Sequence, residues 1–168
     1  WELPPEVRNS LHILGDFVRL ECLLGLTMKI LENQSREHTG HWDRVRNFSV
    51  AIGSEMGLPA RELADLELAA MLHDIGKVGL PDDLLEMAGP LSPEERKKIE
   101  AHSLIGSAMI REIPGMEMIS EIVLSHHEAM DGSGYPRAIK AEEIPFGARI
   151  VAVADAFDAM THYRPYAI

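Results

Sequence analysis

The chain has 168 residues, 46% of them hydrophobic, which is enough for one well-filled core and short for two domains. Its 27 acidic residues against 16 Lys and Arg leave a net charge of −11, which argues against a nucleic-acid groove or an anionic membrane surface. The single cysteine, Cys22, excludes an internal disulfide framework and fits a reducing cytoplasm, no apolar run reaches the length of a membrane span, and the opening WELPPEV has no signal-peptide pattern.

The first residue is Trp1 rather than methionine, so the sequence is expected to be a piece of a longer protein. Residues 6–34 place Val7, Leu11, Leu14, Val18 and Leu26 along one helical stripe. A second helix is expected over 40–57, from Val45, Phe48, Ile52 and Met56, stopping at Gly57-Leu58-Pro59. Pro59 starts a third, 60–75, that ends near Gly76, and a loop-and-turn region follows to residue 92. Ser92-Pro93-Glu94-Glu95 then reads as an N-cap with acidic residues in the first turn, opening a helix that runs to about Ile113. Further helices are expected over 116–128 and 147–161, separated by a Gly-rich loop. No alternation of apolar and polar residues supports strands, so the fold class is all-α.

On those helices the polar exceptions stand out. His73-Asp74 closes the apolar run LELAAML, His102 is placed mid-helix, His126-His127 ends the segment containing Ile122 and Val123, and Asp155 sits inside IVAVADAFDAM. Each alone has an ordinary explanation as a packed, capping or solvated group. Together with His41 they set His or Asp at the core edge of five helices, where a bare charge costs several kcal/mol and coordination to a cation removes that cost. Imidazoles and carboxylates without thiolates suit iron, manganese or zinc better than magnesium or copper(I). There are too many ligands for one ion, and Asp74, with two carboxylate oxygens, is the natural bridge between two. A paired-metal site of this kind favours phosphoester hydrolysis by a metal-activated hydroxide.

HDIGK, HHEAMDGSGYP and ADAFDAMTHYRPY together resemble the HD-GYP family, a branch of the HD phosphohydrolase superfamily, over roughly residues 35–166. The resemblance implies an HD-domain bundle of about six to seven helices and metal-dependent hydrolysis of cyclic dinucleotides, chiefly cyclic di-GMP, to pGpG or GMP. It implies metal ligands at His41, His73, Asp74, His102, His126, His127 and Asp155. Glu37, four residues before His41, matches the extra ligand of family members with three metals, and a dinuclear site is the fallback. The cofactor is thus two or three divalent transition-metal ions, iron first and manganese next. By the same resemblance Asp74 and Lys77 are catalytic, with Lys77 and Arg164 on substrate phosphate. Gly132, Gly134, Tyr135 and Pro136 form the substrate-side loop, its glycines permitting positive φ, and Asp131 is a candidate to orient a histidine ligand.

Two departures bear on substrate rather than metal. Ala167 stands where the family has a basic residue after RPY, in a chain that is C-terminally truncated relative to the family, and the loop 86–91 lacks its usual lysine. The domain reading is therefore 1–34 as a helical segment connecting to an upstream regulatory domain, and 35–168 as the catalytic domain. For 1–34 core packing plus connection is favoured over a signalling helix or a homodimer contact. Two other functions stay open: a hydrolase of another cyclic dinucleotide such as 3′,3′-cGAMP or of a linear nucleotide, and a non-catalytic module that binds the dinucleotide or a diguanylate cyclase partner. No nucleic-acid polymer or membrane partner is expected within this segment, and the location is cytoplasmic.

Overall fold

A computed structural model describes residues 40–85, 87 and 89–162. The helix expected over 6–34, and with it Glu37, lies outside the described residues, as do Arg164 and Ala167. Among those described there are seven α-helices and no strand: α1 (His41–Glu55), α2 (Ala60–Leu72), α3 (Asp82–Leu85), α4 (Pro93–Glu100), α5 (His102–Arg111), α6 (Glu117–Ser125) and α7 (Phe146–Thr161). Two 3-10 turns, Ile75–Gly79 and Ala141–Glu143, complete the regular structure.

The helices follow local chemistry closely. Ser92 caps α4 with a full capping box: its hydroxyl accepts the Glu95 N–H at 3.3 Å while the Glu95 carboxylate accepts the Ser92 N–H at 2.8 Å. Pro59, which lacks the N–H that a first turn leaves unpaired anyway, sits directly before α2 and accepts the Leu63 N–H. Leu66, Leu72, Val45, Val123, Ile144 and Val151 are among the most deeply buried members of one apolar core that also takes in Trp42, Met116 and Ile119. That core gathers α1, α2, α6 and α7 around their apolar stripes.

Two local expectations are corrected. The helix expected from Ser92 to Ile113 is broken at Ala101, so His102 opens α5 instead of lying mid-helix. The physical reason is a change of burial: α4 (PEERKKIE) buries no residue, while α5 buries His102, Ser103, Gly106, Ser107 and Ile110. The segment expected as a loop from residue 76 also carries regular structure: the 3-10 turn runs to Gly79, and Pro81 starts the short α3, whose Leu84 is buried.

Candidate metal centre

His73 caps the C-terminal end of α2 and Asp74 precedes the 3-10 turn that leaves it, so the pair is buried at a helix end. Asp74 is 3% exposed. The turn lies directly against α5: a Cβ on Gly76 would overlap the His102 carbonyl oxygen and the Gly106 nitrogen. Only glycine at position 76 lets Asp74 and His102 come together, with Asp74 Oδ1 3.4 Å from His102 Nε2.

The other carboxylate oxygen faces the opposite way. Asp74 Oδ2 is 3.5 Å from His73 Nε2 and 3.9 Å from His41 Nε2, and His41 Nε2 is 3.6 Å from Asp155 Oδ1. Two ligand groups result, Asp74 with His102, His126 and His127, and His41 with His73 and Asp155; within each the ligand atoms lie within 4.8 Å of one another. Seven of the eight expected metal positions therefore meet in one place, and the eighth, Glu37, lies outside the described residues.

The tautomers follow from the partners. The Nδ1 atoms of His73, His102 and His126 each lie 2.7 Å from a backbone carbonyl three residues earlier, of Ala70, Ile99 and Val123. A carbonyl only accepts, so Nδ1 carries the proton and Nε2 presents a lone pair to the centre. The buried Nε2 of His73 has no hydrogen-bond partner, and the Nε2 atoms of His102 and His126 face each other at 3.3 Å. Two lone pairs at that distance repel unless a cation sits by them. These residues fit a divalent metal ion, in donor type as well as in geometry.

Electrostatics agree. Burial, followed by the neighbouring imidazoles, pushes His126 well below the ordinary histidine range; burial and His102 lower His127 to about 4. His102 and His41 are lowered too, again chiefly by burial. Burial pushes the Asp74 carboxyl up, but Lys77 and the surrounding histidines outweigh it and hold Asp74 well below the usual carboxylate range. The Lys77 amino group, 2.6 Å from Asp74 Oδ2, is the largest of these lowering influences. A neutral histidine set has a consequence for stability. Between the ordinary histidine range, near 6.5, and the lowered folded value the unfolded chain binds more protons than the folded one, so stability falls as pH falls through that window. The thermal midpoint of metal-stripped protein is expected to be lower at pH 5 than at pH 7.5, measured by calorimetry.

Two buried carboxylates that sequence reasoning passed over lie beside this centre, and one of them holds a ligand. Asp158, 2% exposed and three residues after Asp155 on α7, accepts His41 Nδ1–H at 2.7 Å and takes Arg44 at 2.5 Å (Nε) and 3.1 Å. It thereby fixes His41 with Nε2 toward the site, the arrangement that commonly orients a metal-bound imidazole. The i,i+3 spacing in ADAFDAM was the one available signal, whereas its partner His41 lies 117 residues away. Asp158→Ala is expected to weaken metal binding by about 10- to 100-fold, read by competition with a chelating dye. Glu128 is the second, described below. Asp131, by contrast, does not orient a histidine: it is exposed and accepts the Ser133 N–H and hydroxyl at the loop tip.

The loop after His127 lies over the same centre. The Tyr135 ring is 4.8 Å from the His127 ring and 6.4 Å from that of His102. Gly132 has φ +81, as expected for a turn glycine. Gly134 is needed for another reason: a Cβ there would overlap the backbone of His127, Glu128 and Ala129.

A family model for the HD domain matches residues 25–168. The chain belongs to the HD domain family. It is 42% identical over 156 residues to a cyclic di-GMP phosphodiesterase of Thermotoga maritima, covering 89% of this chain and 42% of that protein. It is 32% identical over 164 residues to 3′3′-cGAMP-specific phosphodiesterase 3 of Vibrio cholerae, covering 98% of this chain and 35% of the relative. This HD-domain chain thus spans well under half the length of these relatives. Among solved structures, the cyclic GMP-AMP specific phosphodiesterase of V. cholerae superposes with a TM-score of 0.63 at 23% identity, over 83% of this chain and 41% of that one. The HDG"Y"P protein of Bdellovibrio bacteriovorus gives 0.62 at 23%, over 74% and 41%. These two share the fold. Among the described residues no helix is long and apolar enough to cross a membrane.

Proposed function

We propose that this HD domain is the catalytic part of a metal-dependent phosphodiesterase that hydrolyses cyclic di-GMP to pGpG or GMP. The observation that carries the proposal is the two-sided placement of Asp74, one carboxylate oxygen toward each ligand group. The names of the T. maritima and V. cholerae relatives support the substrate class. Two divalent ions bound there, iron first and manganese next for a donor set of imidazole and carboxylate, would polarise a phosphoryl oxygen and lower the pKa of an attacking water. A third ion would draw on Glu37.

The chain's own residues divide the remaining work. His41, His73, His102, His126 and His127 supply neutral nitrogen donors, and Asp74 and Asp155 supply the anionic oxygens. Lys77 stands at the rim, with its side chain 26% exposed, where it can meet a non-bridging phosphate oxygen as well as Asp74. Arg164 is the second phosphate contact in this reading. Tyr135 is held protonated, above the ordinary tyrosine range, by burial and then by the carboxylates of Asp74, Glu100 and Asp155, so it offers a neutral ring and hydroxyl to a base. Gly132, Gly134 and Pro136 shape the loop that presents it. Cytoplasmic residence belongs to the same proposal, consistent with the single Cys22.

The reading is tested with the purified chain loaded anaerobically with iron(II) or manganese(II) and offered cyclic di-GMP and 3′,3′-cGAMP side by side. Metal-dependent turnover is expected, with kcat/KM for cyclic di-GMP at least about tenfold higher. A reversed preference would establish the second reading, which the V. cholerae relative favours. Tight dinucleotide binding with no turnover in metal-loaded protein would overturn the enzymatic reading in favour of a binding module.

A further inference from the structure

Glu128 directly follows His127, is 6% exposed, and lies just beyond the C-terminus of α6, where the helix dipole gives a carboxylate no support. Its two oxygens take two backbone groups from the far side of the Gly-rich loop: Oε1 accepts the Arg137 N–H at 2.7 Å and Oε2 the Ile139 N–H at 3.2 Å. The loop 129–136 is thereby closed into a ring. Within it the Tyr135 N–H donates to the His127 carbonyl at 3.1 Å, and Gly134 packs on the backbone of His127 to Ala129. The Arg137 guanidinium fastens the returning segment a second time, donating to Ser125 Oγ at 2.7 Å and pairing with Glu121 at 3.1 Å. The loop itself, Ala129 to Pro136, contains Gly132, Ser133 and Gly134, residues that gain much conformational freedom when released.

We infer that Glu128 is a positioning residue for substrate: by clamping the return of the loop it holds Tyr135 over the His102 and His127 side of the centre. The inference rests on the phosphodiesterase reading for the role of Tyr135, and on geometry alone for the clamp. The Glu128 carboxylate takes its hydrogen bonds from the Arg137 and Ile139 amides and not from a metal ligand, so its loss should loosen the loop and leave the ligand side chains in place.

Glu128→Ala and Glu128→Gln separate these effects, with hydrogen exchange, metal content, cyclic di-GMP kinetics and hydrolysis of bis(p-nitrophenyl) phosphate as readouts. The small aryl diester needs the metal centre but presents no purine to Tyr135. In Glu128→Ala, amides of 133–139 are expected to exchange at least about tenfold faster and KM for cyclic di-GMP to rise about tenfold. Metal content and aryl-diester turnover should stay within about twofold. Unchanged exchange and KM would overturn the clamp. Parallel loss of metal and of both activities would overturn it too, because Glu128 would then support the ligands. Should the alanine variant not fold, Glu128→Gln carries the same readouts, since it keeps the size and one acceptor but sets an NH2 group against one of the two amides. If the metal-loaded wild type hydrolyses neither diester, the phosphodiesterase reading fails, and the exchange comparison still decides the clamp.

Discussion

Asp74→Ala is expected to abolish hydrolysis, by on the order of a thousandfold or more in kcat/KM, and to lower the metal content of the purified protein. Both effects come from one side chain because its two oxygens serve two groups, Oδ1 facing His102 at 3.4 Å and Oδ2 facing His73 at 3.5 Å. Removing the carboxylate would take an anionic donor from both ligand groups at once and leave the Lys77 ammonium beside the site without its 2.6 Å partner. Asp74→Asn is the informative companion. Asparagine keeps one carbonyl oxygen of similar placement but loses the charge and the second oxygen, so it is expected to hold about half the metal and still to turn over poorly. Elemental analysis of metal beside steady-state kinetics checks both variants. Wild-type turnover by Asp74→Ala would sink the mechanism, and undiminished metal in that variant would remove Asp74 from the ligand set.

Gly76→Ala is expected to act through the fold and to reach the same centre. The added Cβ overlaps the His102 carbonyl oxygen and the Gly106 nitrogen, both of them backbone atoms that cannot swing aside. Relief requires the 3-10 turn and α5 to separate. Overpacking against backbone costs about 3 kcal/mol at the upper end of its usual range, corresponding to a fall of roughly 6–12 °C in thermal midpoint for a chain of this size. Because that separation pulls Asp74 from His102, metal affinity should fall together with stability, which distinguishes this variant from a core substitution remote from the site. Differential scanning calorimetry with and without metal measures both. An unshifted midpoint would show that the turn and α5 are not packed backbone to backbone.

Much of this was legible in the sequence. The helical periodicity of Val45, Phe48 and Ile52 marked α1, and Ser92 with Glu95 marked the start of α4 within a residue, since capping is a local matter of one hydroxyl and one carboxylate. His73-Asp74, His126-His127 and Asp155 stood out because each interrupts or ends an apolar run, where only a partner makes a polar group tolerable. The resemblance of HDIGK and HHEAMDGSGYP to the HD-GYP family added His41 and His102 to complete the seven candidate positions. The break at Ala101 was not legible, because helix propensity continues across it and the change from the exposed α4 to the buried α5 is set by packing. Asp158 and Glu128 were missed for a related reason. Each is an acidic residue beside a candidate ligand, and its role depends on partners that only folding brings near, His41 across 117 residues for one and the amides of a returning loop for the other.

The sequence by itself determined the all-α class, the helix starts and the residue types of the centre, because periodicity, capping and ligand chemistry all act through near neighbours or side-chain identity. The tertiary structure alone decided how those residues divide into two groups about Asp74, which nitrogen of each histidine faces inward, and which carboxylates hold the ligands and the Tyr135 loop in place. Those are matters of direction and distance between helices far apart in the chain, and packing sets them.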